Sequence, residues 1–225
     1  MQNWTISPSD LTFLWDECKC CFYLKNRQGF RRPASAFPKI FGTIDLLMKD
    51  FYLNQSTRKM AAGLPEGKAI MSGRWVTSEP ISLPEFSDTC SIRGIFDTLV
   101  QFEDGSYGVI DFKTTKVNEA HIAFYSRQLQ AYAYALEHPA PGKTGFAPIS
   151  RLGLLCFDPS SMEENQPAHL SLNGPATWIE CSVDEPAFLG LIENVLQLLS
   201  LPEPPPPNPD CSFCDYREAA RNTGF

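Results

Sequence analysis

No run of about 18 apolar residues, the length a helix needs to cross a bilayer, occurs anywhere in the sequence. Met1 to Asp10 also lacks the charged start and apolar stretch of a secretion signal. These absences exclude the ordinary signs of export and helical membrane insertion, so a soluble, cytoplasmic chain with no membrane partner is expected. Excess positive charge is missing as well, because 19 Lys and Arg against 26 Asp and Glu give a formal net charge of −7. That excludes a protein that coats nucleic acid through a positive field over its whole surface. It leaves room for a local basic groove: between Cys18 and Ile44 stand Lys19, Lys25, Arg27, Arg31, Arg32 and Lys39 and no acidic residue. Such a stretch either tracks a phosphate backbone or forms a solvated helix face.

Cysteine is not scarce, with eight in 225 residues. In a reducing compartment a disulfide framework is a poor use for them, which leaves buried thiols or metal ligation. Cys90, Cys156 and Cys181 stand singly in β-like apolar stretches and read as small buried hydrophobes. Cys18, Cys20, Cys21, Cys211 and Cys214 cluster instead at the two chain ends.

The chain is long enough for one substantial core, and we expect a single catalytic domain over residues 1–225. Its parts are a helical segment at 8–72, a core at 73–200 and a proline linker with cysteines at 201–225. Apolar positions Leu11, Leu14, Trp15, Cys18 and Phe22 predict a helix from about 8 to 28, opened by Ser9 or Asp10 as its cap. Ile40 to Leu53 predicts a second helix, followed by a loop to Ser72. Arg74 to Leu83, Cys90 to Glu103 and Ser106 to Lys113 predict three strands, the last two joined by a turn at Asp104-Gly105. A helix at Glu119 to Glu137, strands at Arg151 to Phe157 and Thr177 to Val183, and a helix at Glu185 to Leu201 follow. Pro204 to Pro207 must be extended.

Asp111 and Lys113 are two apart on a strand and project from one face, which Asp97 can approach from the neighbouring strand. Two carboxylates and an ammonium would then converge. Mg²⁺ and Mn²⁺ favour carboxylate oxygen and water, and an ion held there would polarise a phosphate and activate water while Lys113 steadies developing charge. Taken alone, Asp-x-Lys also describes an exposed, salt-bridged sheet edge.

The order Gly94-Ile-Phe-Asp97, a turn, Asp111-Phe-Lys113-Thr114-Thr115 and then Gln128-x-x-x-Tyr132 resembles the RecB-like branch of the PD-(D/E)XK nucleases. That branch includes exonucleases associated with CRISPR adaptation and AddB-type repair nucleases. The resemblance implies a restriction-endonuclease-like core, a mixed central sheet flanked by helices. It implies metal binding by Asp97 and Asp111, catalysis by Lys113, and a flanking helix that brings Gln128 and Tyr132 to the site. Many members carry a metal-binding histidine on an N-terminal helix; here His121, His138 and His169 all lie beyond the core acids. The related segment Phe41-Gly42-Thr43-Ile44-Asp45 offers Asp45 as a third metal ligand, and Glu79 is a weaker fourth.

Cys211-Ser-Phe-Cys214 is similar to the C-terminal motif of iron–sulfur members of that branch, which hold a 4Fe-4S cluster with one N-terminal and three C-terminal cysteines. The position of the third C-terminal one is Ala220 here. Cys18 and Cys21 with Cys211 and Cys214 would supply four ligands, with Cys20 competing for the N-terminal pair. Four thiolates suit a 4Fe-4S cluster or structural Zn²⁺, and spacing does not separate them. The resemblance favours the cluster, and either centre would join the termini. The function implied is a metal-dependent DNA nuclease acting on single-stranded DNA or free ends, with protein partners in a repair or CRISPR adaptation complex. The alternative is a non-catalytic DNA- or protein-binding subunit of the same fold.

Overall fold

The computed structural model describes residues 2–34, 38–116 and 119–223. Its strands are β1 (Asn3–Ile6), β2 (Gly67–Thr77), β3 (Thr89–Phe102), β4 (Tyr107–Thr114), β5 (Ile149–Phe157), β6 (Ser161–Gln166), β7 (His169–Asn173) and β8 (Ala176–Cys181). Its helices are α1 (Leu14–Glu17), α2 (Lys19–Gln28), α3 (Lys39–Tyr52), α4 (Glu119–Glu137), α5 (Glu185–Leu199) and α6 (Ser212–Asn222). The central sheet runs β1-β3-β4-β5-β8, with β2 also paired to β3, and it mixes parallel pairs (β1 with β3, β4 with β5) with antiparallel ones.

Alternation along the strands feeds two apolar cores. Leu99 and Val109 join α4 and α5 through Leu129, Leu136, Ile192 and Leu196. Val100, Ile110 and Phe112 join Tyr52 of α3 on the other, where the Tyr52 and Phe112 rings stack at 5.7 Å. Each fully buried Leu, Ile or Phe contributes about 1.5–3 kcal/mol. Asp111, between Ile110 and Phe112, is thereby carried into the interior on the α4 side.

The expected helix over 8–28 is broken into a short 3-10 turn at Pro8–Asp10, then α1 and α2. Cys18 is extended, with φ −166° and ψ 109°, and starts α2 anew. One extended residue leaves the apolar pattern intact, which is why periodicity does not reveal the break. Neither Ser9 nor Asp10 caps a helix by its side chain; the buried Asp10 pairs with Lys25 instead. β2 starts at Gly67, inside the expected loop, because Lys68 and Ala69 pair with Gln101 and Val100 of the long β3. Strand β1 and the exposed β6–β7 hairpin were not expected; both are short and polar or edge-like.

The basic stretch is neither a free groove nor a plain solvated face. Lys25 is bound to Asp10, Arg32 to Glu17, and Lys19 lies 3.0 Å above the Trp15 ring. Arg27 donates to the carbonyls of Leu199 and Leu201 at the end of α5. Four of the six charges are therefore engaged, three within the N-terminal segment and Arg27 against the end of α5.

Candidate active site

The β3–β4 ladder ends at Thr98 and Ile110, so Asp97 and Asp111 stand where β3 and β4 have parted, with Asp111 still paired to Leu154 of β5. Asp97 Oδ2 accepts the Phe112 N–H at 2.9 Å, and so its carboxylate serves a backbone donor the ladder no longer reaches. Gly94 explains the start of the motif: a Cβ there would lie 2.7 Å from Pro8 and 3.1 Å from the Tyr132 ring. Only glycine lets Pro8 and Tyr132 close over β3 at this point.

Asp111 is 2% exposed and ion-paired to Lys113. Burial, with the nearby Asp97 carboxylate adding to it and Lys113 opposing it, pushes the Asp111 carboxyl up to about 7. Burial pulls the Lys113 ammonium the other way, but Asp111 outweighs this and holds it above the usual lysine range. Lys113 Nζ also lies 4.5 Å above the Tyr125 ring. Gln128 Nε2 donates to Asp111 Oδ1 at 3.2 Å, and Tyr132 donates to the Ile95 carbonyl at 2.6 Å. Burial pushes the Tyr132 phenol up to about 12, which keeps it a donor.

Helix α3 closes the site from the other side. Lys49 reaches Asp97 Oδ1 at 2.7 Å and Asp45 Oδ2 at 2.6 Å, so one ammonium links two of the expected metal ligands. Burial lowers its pKa, yet Asp97 and Asp45 more than offset that and raise it. Asp45, Asp97, Asp111, Lys113, Gln128 and Tyr132 all line one open cavity of about 630 Å³. Glu79 does not line it and stands 3.8 Å from His138. Lys49 and Tyr125 were missed from sequence, although each had a signal: Lys49 is four residues after Asp45, and Tyr125 three before Gln128, on shared helix faces.

The carboxylate donors are of the kind a hard divalent cation prefers, and Lys49 and Lys113 hold them in this structure. Asp111 Oδ2 is buried with no hydrogen-bond donor beyond its ion pair with Lys113, and three carboxylates face one space.

A second group lies at the chain ends. The sulfurs of Cys18, Cys21, Cys211 and Cys214 all lie within 4.8 Å of one another, all four residues are buried, and a metal ion fits among them. Cys21, not Cys20, belongs to this set. Cys90, Cys156 and Cys181 are buried singly, and burial pushes the Cys90 thiol up to about 12 and the Cys181 thiol to about 11.

No curated protein matches the chain. A solved structure titled "Crystal structure of SSO0001" is similar at 13% identity, covering 86% of this chain and 75% of that one with a TM-score of 0.45. The model of the PD-(D/E)XK nuclease superfamily matches residues 52–219. That span takes in β2 to β8 and α4, with Asp97, Asp111, Lys113, Gln128 and Tyr132, and leaves Asp45, Lys49 and the N-terminal cysteines outside. By this match over most of its length, the chain belongs to the PD-(D/E)XK nuclease superfamily.

Proposed function

We propose that this chain is a Mg²⁺- or Mn²⁺-dependent DNA nuclease of the RecB-like type, cutting single-stranded DNA or free ends as an exonuclease or flap-processing enzyme. Repair, recombination or CRISPR adaptation is the setting we infer, with protein partners there, and residues 1–225 act as one unit. Superfamily members are in general metal-dependent nucleases. The observation that carries the reading is the convergence of Asp97, Asp111 and Lys113 on one cavity, with the buried Asp111 carboxylate beside the Lys113 ammonium.

A divalent ion held by Asp97 and Asp111, with Asp45 alongside, would polarise the scissile phosphate and lower the pKa of a bound water. Lys113 is placed to orient that water or to neutralise charge building on the phosphate, because its ammonium sits in the cavity beside Asp111. Gln128 and Tyr132 are positioning residues. Gln128 holds Asp111 Oδ1 while Lys113 pairs with Oδ2, and Tyr132 ties α4 to β3 at Ile95.

An unpaired strand is favoured by the neighbouring surface. Ile95 lines the cavity and Trp75 is its cross-strand partner, and the two are 41% and 62% exposed. The Arg93 guanidinium lies 4.8 Å above the Trp75 ring. An exposed indole beside a cation is suited to stacking a base while its phosphate is neutralised. The test is cleavage of labelled single-stranded DNA, duplex DNA and RNA by purified protein with Mn²⁺. Expected are EDTA-sensitive cleavage of single strands and loss of it in Asp111→Ala. Metal binding and DNA binding without cleavage would instead make the chain a non-catalytic binding subunit.

A further inference from the structure

Four thiolates can hold one tetrahedral ion or a four-iron cluster, and the two demand different spacing. With metal–sulfur bonds of about 2.3 Å, a single tetrahedral ion sets its sulfurs about 3.8 Å apart. In a 4Fe-4S cluster each thiolate binds a different iron at a corner of a cube, so the width of the cube is added and the thiolates stand roughly 6 Å apart. In this protein Cys18 Sγ lies 3.7 Å from Cys214 Sγ, and Cys21 Sγ lies 3.7 Å from Cys211 and 3.6 Å from Cys214. All four sulfurs lie within 4.8 Å of one another, the spacing of the single ion, which leaves no room for a cube.

The surroundings fit as well. A divalent ion with four thiolates carries two net negative charges, and buried charge needs partners. Arg32 Nη2 donates to Cys211 Sγ at 3.5 Å, and Arg217 Nη2 donates to Cys214 Sγ at 3.6 Å. Both guanidiniums thus lie against the thiolates, Arg32 shared with Glu17. Arg32 is itself held by Glu17 and by the Phe213 ring at 4.6 Å, so its fork is oriented before any ion arrives. Cys20 accepts from Arg217 at 3.5 Å and lies outside the group of four.

We infer that Cys18, Cys21, Cys211 and Cys214 bind one tetrahedral Zn²⁺ in place of the four-iron cluster that the family resemblance implies, and that Cys20 is not a ligand. A closed shell of four protein ligands leaves no open position, so the ion is structural: it fastens the start of α2 to the start of α6. The inference is independent of whether the chain cuts nucleic acid.

The test is metal and inorganic sulfide analysis of full-length protein purified without oxygen or chelator, alongside Cys20→Ser and Cys21→Ser. Expected are one zinc per chain, no sulfide and no visible colour. Cys20→Ser keeps its zinc, and Cys21→Ser binds it at least about tenfold more weakly in competition with a chelating dye. Co²⁺ exchanged into the unmodified protein gives the intense visible absorption of a tetrahedral thiolate complex, a readout that needs no variant to fold. Iron with matching sulfide, iron without sulfide, a protein free of metal, or an octahedral Co²⁺ spectrum each overturns the inference.

Discussion

The carboxylate site and the thiol cluster both gather ionisable side chains from remote parts of the chain, and they differ in whether those groups line a cavity or face one another. Around the thiols four buried sulfurs face one another, and Arg32 and Arg217 donate to Cys211 and Cys214 from outside. Around Asp97 and Asp111 the group opens on a cavity of about 630 Å³, with Lys49 and Lys113 paired to the two carboxylates. A closed shell stabilises and an open one leaves a position for substrate and water. The proposed function assigns chemistry to the second region and stability to the first, and substitutions should separate the two.

The largest separation is expected from the carboxylate side. Asp111→Ala should slow cleavage on the order of 10³-fold and Lys113→Ala on the order of 10²-fold, with zinc content close to the parent. Gel-based cleavage rates with metal analysis of the same samples check this; a parallel loss of zinc would merge the two regions into one. Cys214→Ser should do the reverse, lowering the melting temperature on the order of 10 °C while the cleavage rate below that temperature stays within about twofold. Calorimetry and rates on one preparation decide it.

Smaller effects sharpen the assignment of α3. Asp45→Asn should weaken Mn²⁺ binding about tenfold. Lys49→Gln should tighten it about fivefold, because an ammonium paired with both Asp45 and Asp97 competes with the ion for roughly 1 kcal/mol. Titration calorimetry reads both, and unchanged affinity in the two variants would remove α3 from the metal site.

A further effect is on pH. The Asp111 carboxyl is held at about 7 in the folded chain, above its unfolded value of about 3.9. Between those values the folded protein keeps a proton that the unfolded chain releases. The stability this confers is full below about pH 4 and is lost as pH rises to about 7. Metal-free protein should therefore melt lower at pH 8 than at pH 5, and Mn²⁺ affinity should rise over the same interval as the ion displaces that proton. Asp111→Asn should flatten both profiles.

Much of the frame could be read directly from residue order. Period-two alternation and the Asp104-Gly105 turn mark β3 and β4, where Gly105 has φ 84°. The Gln128 helix, Glu119–Glu137, runs where its Ala- and Leu-rich pattern ends before Pro139. What failed were features without a period: the break at Cys18, the four-residue β1, and the early start of β2, which depends on the length of its partner β3.

The sequence by itself determined that two carboxylates and a lysine share a strand pair and that the cysteines fall at opposite ends, since period and spacing are local properties of a chain. Tertiary structure alone decided which groups meet. Lys49 lies between Asp45 and Asp97 because α3 packs its Tyr52 against Phe112 of β4. Cys21 joins Cys211 and Cys214 while its neighbour Cys20 does not, because one extended residue at Cys18 sets the rotation of α2. Distances across a fold depend on how helices pack on a sheet, and no spacing along the chain encodes the 3.6 Å between Cys21 and Cys214.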